Sequence, residues 1–125
     1  MANPGIIKSL VAGGVIPAYT AVKFGSDDNT VVAAAAATDL VMGTTMELAA
    51  ASGERCDVQL NGIANVLAGA AITRGSLVTV DASGRAIAAA PAAGSNVTII
   101  GRAFESASAA GDVIRVMLVT SSMQG

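Results

Sequence analysis

Alternating apolar and polar positions recur along the chain and predict short β-strands. In the segment 56–61, three apolar residues alternate with three polar ones, which is the period of two expected of a strand with one buried face. In the segment 77–87, two runs rich in β-branched residues flank the turn sequence 81–84, which ends in glycine. This arrangement predicts a β-hairpin, and the segment 22–32 has the same form with a more polar tip.

The pattern occurs twice because the second part of the chain repeats the first. The offset between the copies is 56 residues near the start of each copy and 58 near its end. Residues 41–47 align with 99–105, and residues 51–54 align with 109–112. A repeat that spans most of a chain indicates an internal duplication. In the front part of the copies, Ile16, Val22, Phe24 and Val31 align with Ile72, Val78, Val80 and Ile87.

The duplication also decides the structure of an ambiguous segment. Residues 39–51 taken alone are compatible with a helix by propensity. Their equivalent, residues 97–104, is β-branched and carries a central glycine, which is typical of a strand. We therefore predict an all-β fold, a small β-sandwich or barrel built from two sequence-related halves.

The chain is predicted to hold one β-domain over residues 14–120, with repeats at about 14–67 and 70–120. Residues 1–13 come before it, and they are either a first strand or an extended N-terminal arm that docks on a partner. Residues 121–125 are polar and are expected to form a flexible tail.

Composition limits how well such a domain can stabilise itself. Of the 125 residues, 53% are hydrophobic, but 27 are alanine and only three are aromatic: Tyr19, Phe24 and Phe104. A core of small side chains buries little apolar area per residue, so we expect burial against copies of the chain or a partner to add stability. The apolar runs are shorter than the roughly 20 residues of a membrane span. The N-terminus also lacks a signal-peptide pattern, so we expect cytoplasmic synthesis and no membrane partner.

Charge and residue types argue against catalysis and against nucleic-acid binding. Seven basic and nine acidic residues are interspersed along the chain, whereas phosphate binding needs clustered positive charge. The absence of histidine excludes Ser-His-Asp and Cys-His nucleophiles and leaves too few ligands for the usual zinc sites. Cys56 is predicted to be a buried thiol. Glu47 and Glu105 occupy equivalent repeat positions, and we interpret them as structural groups that bond turn amides or an arginine. No enzyme activity, cofactor, metal or small-molecule substrate is expected.

The turns and strand ends carry a family resemblance. The segments 68–81, 84–86, 99–103 and 107–112 together resemble the tailed-phage capsid cement or head decoration proteins of the small Ala- and Gly-rich kind, over nearly the whole chain. The resemblance implies a structural protein on the outer surface of the virion capsid, made in the host cytoplasm. It would bind between subunits of the major capsid protein and stabilise the shell. It also implies self-association as a dimer or trimer.

The N-terminal segment is the candidate contact region for the capsid and for other copies. We expect deletion of residues 1–10 to abolish shell binding while leaving the β-domain folded. Two alternatives stay open: a self-assembling fibre-base or surface-array subunit, and a small ligand-binding β-domain. The candidate contact residues are Asn3, Pro4, Ile6, Ile7, Leu10 and Val11.

Overall fold

The computed structural model describes residues 3–91 and 93–124 and confirms the all-β class. Within this described part, no helix is long and apolar enough to cross a membrane. The strands are β1 (Asn3–Pro4), β2 (Ile7–Ala12), β3 (Ala21–Phe24), β4 (Thr30–Ala33), β5 (Val41–Thr45), β6 (Arg55–Gln59), β7 (Gly62–Leu67), β8 (Leu77–Val80), β9 (Ala86–Ala88), β10 (Asn96–Ala103) and β11 (Val113–Gln124).

Strands β2 to β6 form a closed five-stranded barrel, which we call the first half. The strand order around it is β2-β4-β3-β5-β6. Strand β2 closes the circuit, because it pairs antiparallel with β6 and parallel with β4. Inward-facing side chains at alternate strand positions fill the barrel, as the period of two predicts. The buried core consists of Leu10, Ala12, Ile16, Val22, Val31, Ala50, Cys56 and Val58.

Strands β7 to β11 form the second half and follow the same circuit. Together with β1 they make a sheet of order β1-β7-β11-β10-β8-β9. A single parallel bridge joins Ala68, directly after β7, to Ala86 in β9. Strands β2 and β4 pair at the equivalent place in the first half. The predicted barrel built from two related halves is therefore confirmed, with the second circuit closed by one bridge.

The register of the hairpins corrects one detail of the repeat alignment. Phe24 pairs with Val31, and the equivalent residue Val80 pairs with Ala86. Val31 therefore corresponds to Ala86 and not to Ile87. The reason is that six residues separate the paired positions Phe24 and Val31, whereas five separate Val80 and Ala86.

The described residues near both ends of the chain are paired in strands. Residues Ile7–Ala12 form β2, whose Leu10 is only 3% exposed. Deletion of residues 1–10 would remove most of a barrel strand, so the expectation that the β-domain survives this truncation is corrected. At the other end, β11 continues to Gln124 and pairs there with Asn96, where a flexible tail was expected from residue 121 onwards.

The halves contact each other through unlike surfaces. Strands β3 and β5 of the first half contact the end of β7, the turn between β8 and β9, and the strands β10 and β11 of the second half. The Ala21 amide donates to the Gly84 carbonyl over 2.9 Å, and the Leu67 amide donates to the Tyr19 carbonyl over 2.8 Å. Leu67 is the last residue of β7, and Gly84 lies in the turn between β8 and β9.

Close approach at this junction depends on glycine. Gly84 has a φ of 75°, and a Cβ on it would collide with the Thr20 side chain and press on the carbonyls of Ala21 and Ala34. Ala21, Ala34 and Val41 of the first half belong to the same buried apolar cluster as the core of the second half. The junction therefore extends the core of the second half onto Ala21, Ala34 and Val41, while the interior of the first barrel forms a separate buried cluster.

Candidate interaction surfaces

The predicted N-terminal contact segment lies along the connection between the two halves. Strand β1 pairs antiparallel with the start of β7. The Ile6 amide donates to Asn61 Oδ1 over 2.7 Å, and the Leu60 amide donates to the Ile6 carbonyl over 2.8 Å. The segment before β2 is thus held against both halves by main-chain pairing.

The structure separates the candidate contact residues by exposure. Ile6 and Ile7 are 60% and 42% exposed and are available to a partner. Leu10 is buried in the core of the first half, and Val11 is half-buried. Asn3 and Pro4 form β1, which pairs with β7 through its main chain. Leu10 therefore stabilises the barrel, and Ile6 and Ile7 supply exposed apolar surface beside it.

An apolar groove on the second half was not predicted from the sequence. It has a volume of about 210 Å³ and is lined mainly by Leu77, Ile99, Arg102, Met117 and Val119; we call these residues the groove. Met117 and Val119 are exposed. The signal was the uninterrupted apolar run 116–119 in β11, because a strand with apolar residues on both faces offers apolar surface on its outer side as well.

A second exposed apolar feature lies at the end of β3. The Phe24 side chain is 55% exposed, whereas Val80, its equivalent in β8, is 1% exposed. The turn after Phe24 carries two acids, Asp27 and Asp28. Asp27 Oδ1 accepts the Asn29 amide over 2.9 Å. This backbone hydrogen bond lowers the pKa of Asp27, so the tip is negatively charged at neutral pH.

The paired glutamates differ in their surroundings. Glu105 Oε1 accepts the Arg115 amide over 2.7 Å and Arg115 Nε over 3.3 Å, so the predicted structural role is confirmed for Glu105. Glu47 is exposed, and the repeat equivalent of Arg115 is Asp57. Two carboxylates cannot form an ion pair, and the prediction of a matching role for Glu47 is therefore wrong.

Glu47 instead lines an open acidic pocket of about 460 Å³ together with Glu54, Asp57 and Arg55. Cys56 also lines it, and its thiol is buried as predicted. Burial, with a smaller contribution from the charge of Asp57, raises the pKa of the Cys56 thiol. In the part of the chain that the structure describes, no three acidic, cysteine or histidine side chains come together as a metal site.

Comparison with known proteins begins with the fold. No curated protein matches the sequence. Among solved structures, the head fiber gp8.5 N base in bacteriophage phi29 matches with a TM-score of 0.71 and 19% sequence identity. The match covers 96% of this chain and 98% of that chain. At this identity the match shows a shared fold over the whole length of both chains.

Family membership follows from the sequence itself. The family model described as phage cement protein matches residues 47–118, which is more than half of the chain. The matched region begins after β5 and includes the whole second half up to Leu118 in β11. The chain therefore belongs to the phage cement protein family and is a structural protein of the phage virion.

Proposed function

We propose that this protein binds the outer surface of a phage capsid shell, between subunits of the major capsid protein, and stabilises the shell. The observation that carries the proposal is the match of residues 47–118 to the phage cement family. An all-β domain with exposed apolar surfaces is compatible with this role, because clamping a shell needs contact area and no reacting group.

The N-terminal edge supports a specific way of binding. Strand β1 is the first strand of its sheet, so its outer edge faces away from β7. An added strand from the capsid protein would hydrogen-bond to the free main-chain groups of this two-residue edge, where Pro4 can accept but has no N–H to donate. Ile6 and Ile7 follow β1 directly and supply exposed apolar side chains beside it. We therefore assign the capsid contact to β1, Ile6 and Ile7, with half-buried Val11 at its margin.

Several weak contacts are sufficient for stable decoration. Copies of the protein that also bind each other, as dimers or trimers, hold the shell at several points at once, and linked contacts raise the overall affinity above that of each one. The protein is made in the host cytoplasm and ends on the outer surface of the virion. Nucleic acid, membranes and small molecules have no part in this role.

Co-sedimentation with expanded, undecorated capsids of the parent phage tests the proposal. We expect saturable pelleting at a simple ratio to the capsid subunit. The double variant Ile6→Asp/Ile7→Asp should pellet about tenfold more weakly or not at all, because it places charge in an apolar contact. Leu48→Asp is the matched control, since Leu48 is exposed but belongs to the acidic pocket. A chain that stays in the supernatant at every concentration contradicts capsid binding.

A fibre-base subunit is the second candidate, and the fold shared with a head fiber base favours it. The two roles predict different distributions on the virion. Immunogold labelling of intact particles should mark the whole shell for a cement protein and only the fibre attachment points for a fibre base.

A further inference from the structure

The contact between the two halves uses surfaces that the duplication has supplied twice. The second half covers Ala21, Ala34 and Val41 of the first half. It does so with the end of β7, the turn between β8 and β9, and residues of β10 and β11. The repeat equivalents of these surfaces are the face of the second half at Leu77 and Ile99 and the turn of the first half after Phe24.

The equivalent surface of the second half lies at the groove, where Ile99 is buried and Met117 and Val119 are exposed. Its Leu77 and Ile99 are the repeat equivalents of Ala21 and Val41. The backbone confirms the correspondence, because the Ala34 amide donates to Ala21 and the Ala89 amide donates to Leu77, both over 2.9 Å. The groove is thus the second copy of a surface that is already covered within the chain.

In the first half, the turn equivalent to that of Gly84 directly follows Phe24, the last residue of β3. Its equivalent in the second half, Val80, is buried in the cluster that contains Ala21 and Val41. Phe24 has no such cover and is more than half exposed. An aromatic side chain that is exposed at this position has the size and apolar character to fill the groove.

We propose that copies of this protein associate head to tail, with the Phe24 end of one chain docked in the groove of the next. The contact between chains then uses the equivalent surfaces but differs in detail, because Asp28 and Asn29 stand at the position of Gly84. Charge supports the pairing, because the residues lining the groove carry one charge, that of Arg102, and the turn beside Phe24 carries Asp27 and Asp28. The contact joins unlike surfaces, so it builds rings or rows of chains.

The polar groups at the two free surfaces are satisfied in the separate chain. The Gly75 carbonyl, equivalent to that of Tyr19, accepts Arg102 Nη1. The Val11 amide, equivalent to that of Leu67, donates to the Asn29 carbonyl over 2.8 Å. These two groups therefore have partners in the separate chain, and docking adds apolar burial and an exchange of Arg102 from the Gly75 carbonyl to the acids of the neighbour. A reversible association between folded chains has these properties.

The inference refines the self-association in the proposed function and is independent of capsid binding. Sedimentation velocity of the isolated full-length chain over a range of concentrations tests it. We expect wild type to associate, and Phe24→Asp and Met117→Asp each to weaken the association about tenfold or more. Leu48→Asp is the control and should behave as wild type. Circular dichroism should show all three variants folded, because the substituted side chains are exposed.

A mixing experiment identifies the surfaces that meet. Phe24→Asp keeps an intact groove and Met117→Asp keeps an intact Phe24, so an equimolar mixture should regain association through one good contact. A groove that binds another groove predicts a different result, in which Phe24→Asp associates like wild type. That result would overturn the proposal. The proposal would also be overturned if the mixture failed to associate, or if the wild-type chain kept the mass of one copy at every concentration. None of these results would affect the proposal of capsid binding, which is tested separately by pelleting of the wild-type chain with capsids.

Discussion

Gly43 and Gly101 occupy equivalent positions in the two halves, and each packs directly on a main-chain carbonyl of the neighbouring strand. A Cβ on Gly43 would collide with the carbonyl oxygen of Gln59, and a Cβ on Gly101 with that of Met117. The strand register shifts beside each glycine, between Val22 and Lys23 opposite Gly43 and between Ile99 and Gly101 itself. The two shifts lie in non-equivalent strand pairs, β3–β5 and β10–β11. The duplication has therefore kept the close approach of a glycine to the carbonyl of the equivalent residues Gln59 and Met117, which leaves no room for a side chain.

Replacement of either glycine should destabilise the fold strongly. We expect Gly43→Ala and Gly101→Ala each to lower the free energy of unfolding by about 1–3 kcal/mol or more, because the colliding atom is backbone and cannot rotate away. Denaturant unfolding of both variants measures the loss. If either variant kept the free energy of unfolding of wild type, the strands would be able to move apart there and accommodate the added methyl group without loss of stability, which would contradict the prediction.

Substitution of Gly75 measures how much a left-handed backbone conformation costs in stability, without a contribution from side-chain packing. Its φ is 92°, and a Cβ on it would have no atom within 4 Å. Gly75→Ala should cost about 1–2 kcal/mol, the penalty of a left-handed backbone for a residue with a side chain. Gly14→Ala is the matched control, since Gly14 also has open space but no positive φ, and it should be neutral or slightly stabilising. Equal effects of the two substitutions would contradict this explanation.

Two buried hydroxyls are unpaired in the described part of the chain, those of Thr44 and Thr79. Thr79→Val and Thr44→Val should each raise the free energy of unfolding by about 1 kcal/mol, because they remove an unsatisfied polar group and keep the side-chain shape. Thr45→Val is the control. Thr45 Oγ1 donates to the Pro17 carbonyl over 2.8 Å and accepts the Thr20 amide over 3.0 Å, so this variant should lose stability. Thermal unfolding distinguishes the two directions, and a loss in all three variants would indicate hidden partners.

Asp39 should make stability depend on pH in the acidic range. Its carboxylate accepts the Ala35 and Ala36 amides and lies 3.1 Å from Lys23 Nζ. These contacts, the Ala35 hydrogen bond above all, lower the pKa of Asp39 below its usual 3.8. A lowered pKa in the folded state stabilises the fold above the usual pKa, and the stabilisation is lost as pH falls through the lower value. The difference between wild type and Asp39→Asn, measured by urea unfolding, should therefore be constant above about pH 5 and shrink below pH 4. A difference that grows on acidification would contradict the assignment.

The sequence was informative where a physical pattern was repeated. Alternation and turn residues predicted the strands, and the second copy ruled out a helix at β5. The N-terminal alternative was not decided, because the apolar residues of β2 are equally suited to a barrel strand and to a docking arm. The one-residue difference between the hairpins was missed, since Val31 can be aligned with either Ala86 or Ile87 by residue type. The groove was not predicted because it depends on which outer faces the packing of the two halves leaves uncovered. Local sequence patterns do not show how the halves pack together.

The connection between the halves is only two residues long, Leu60 and Asn61. A short connection gives the two contacting surfaces an effective local concentration in the millimolar range. Two separate five-stranded proteins with the same surfaces would part on dilution. The joined halves stay together however few copies are present, so the contact between them forms in every folded chain and does not depend on the protein concentration.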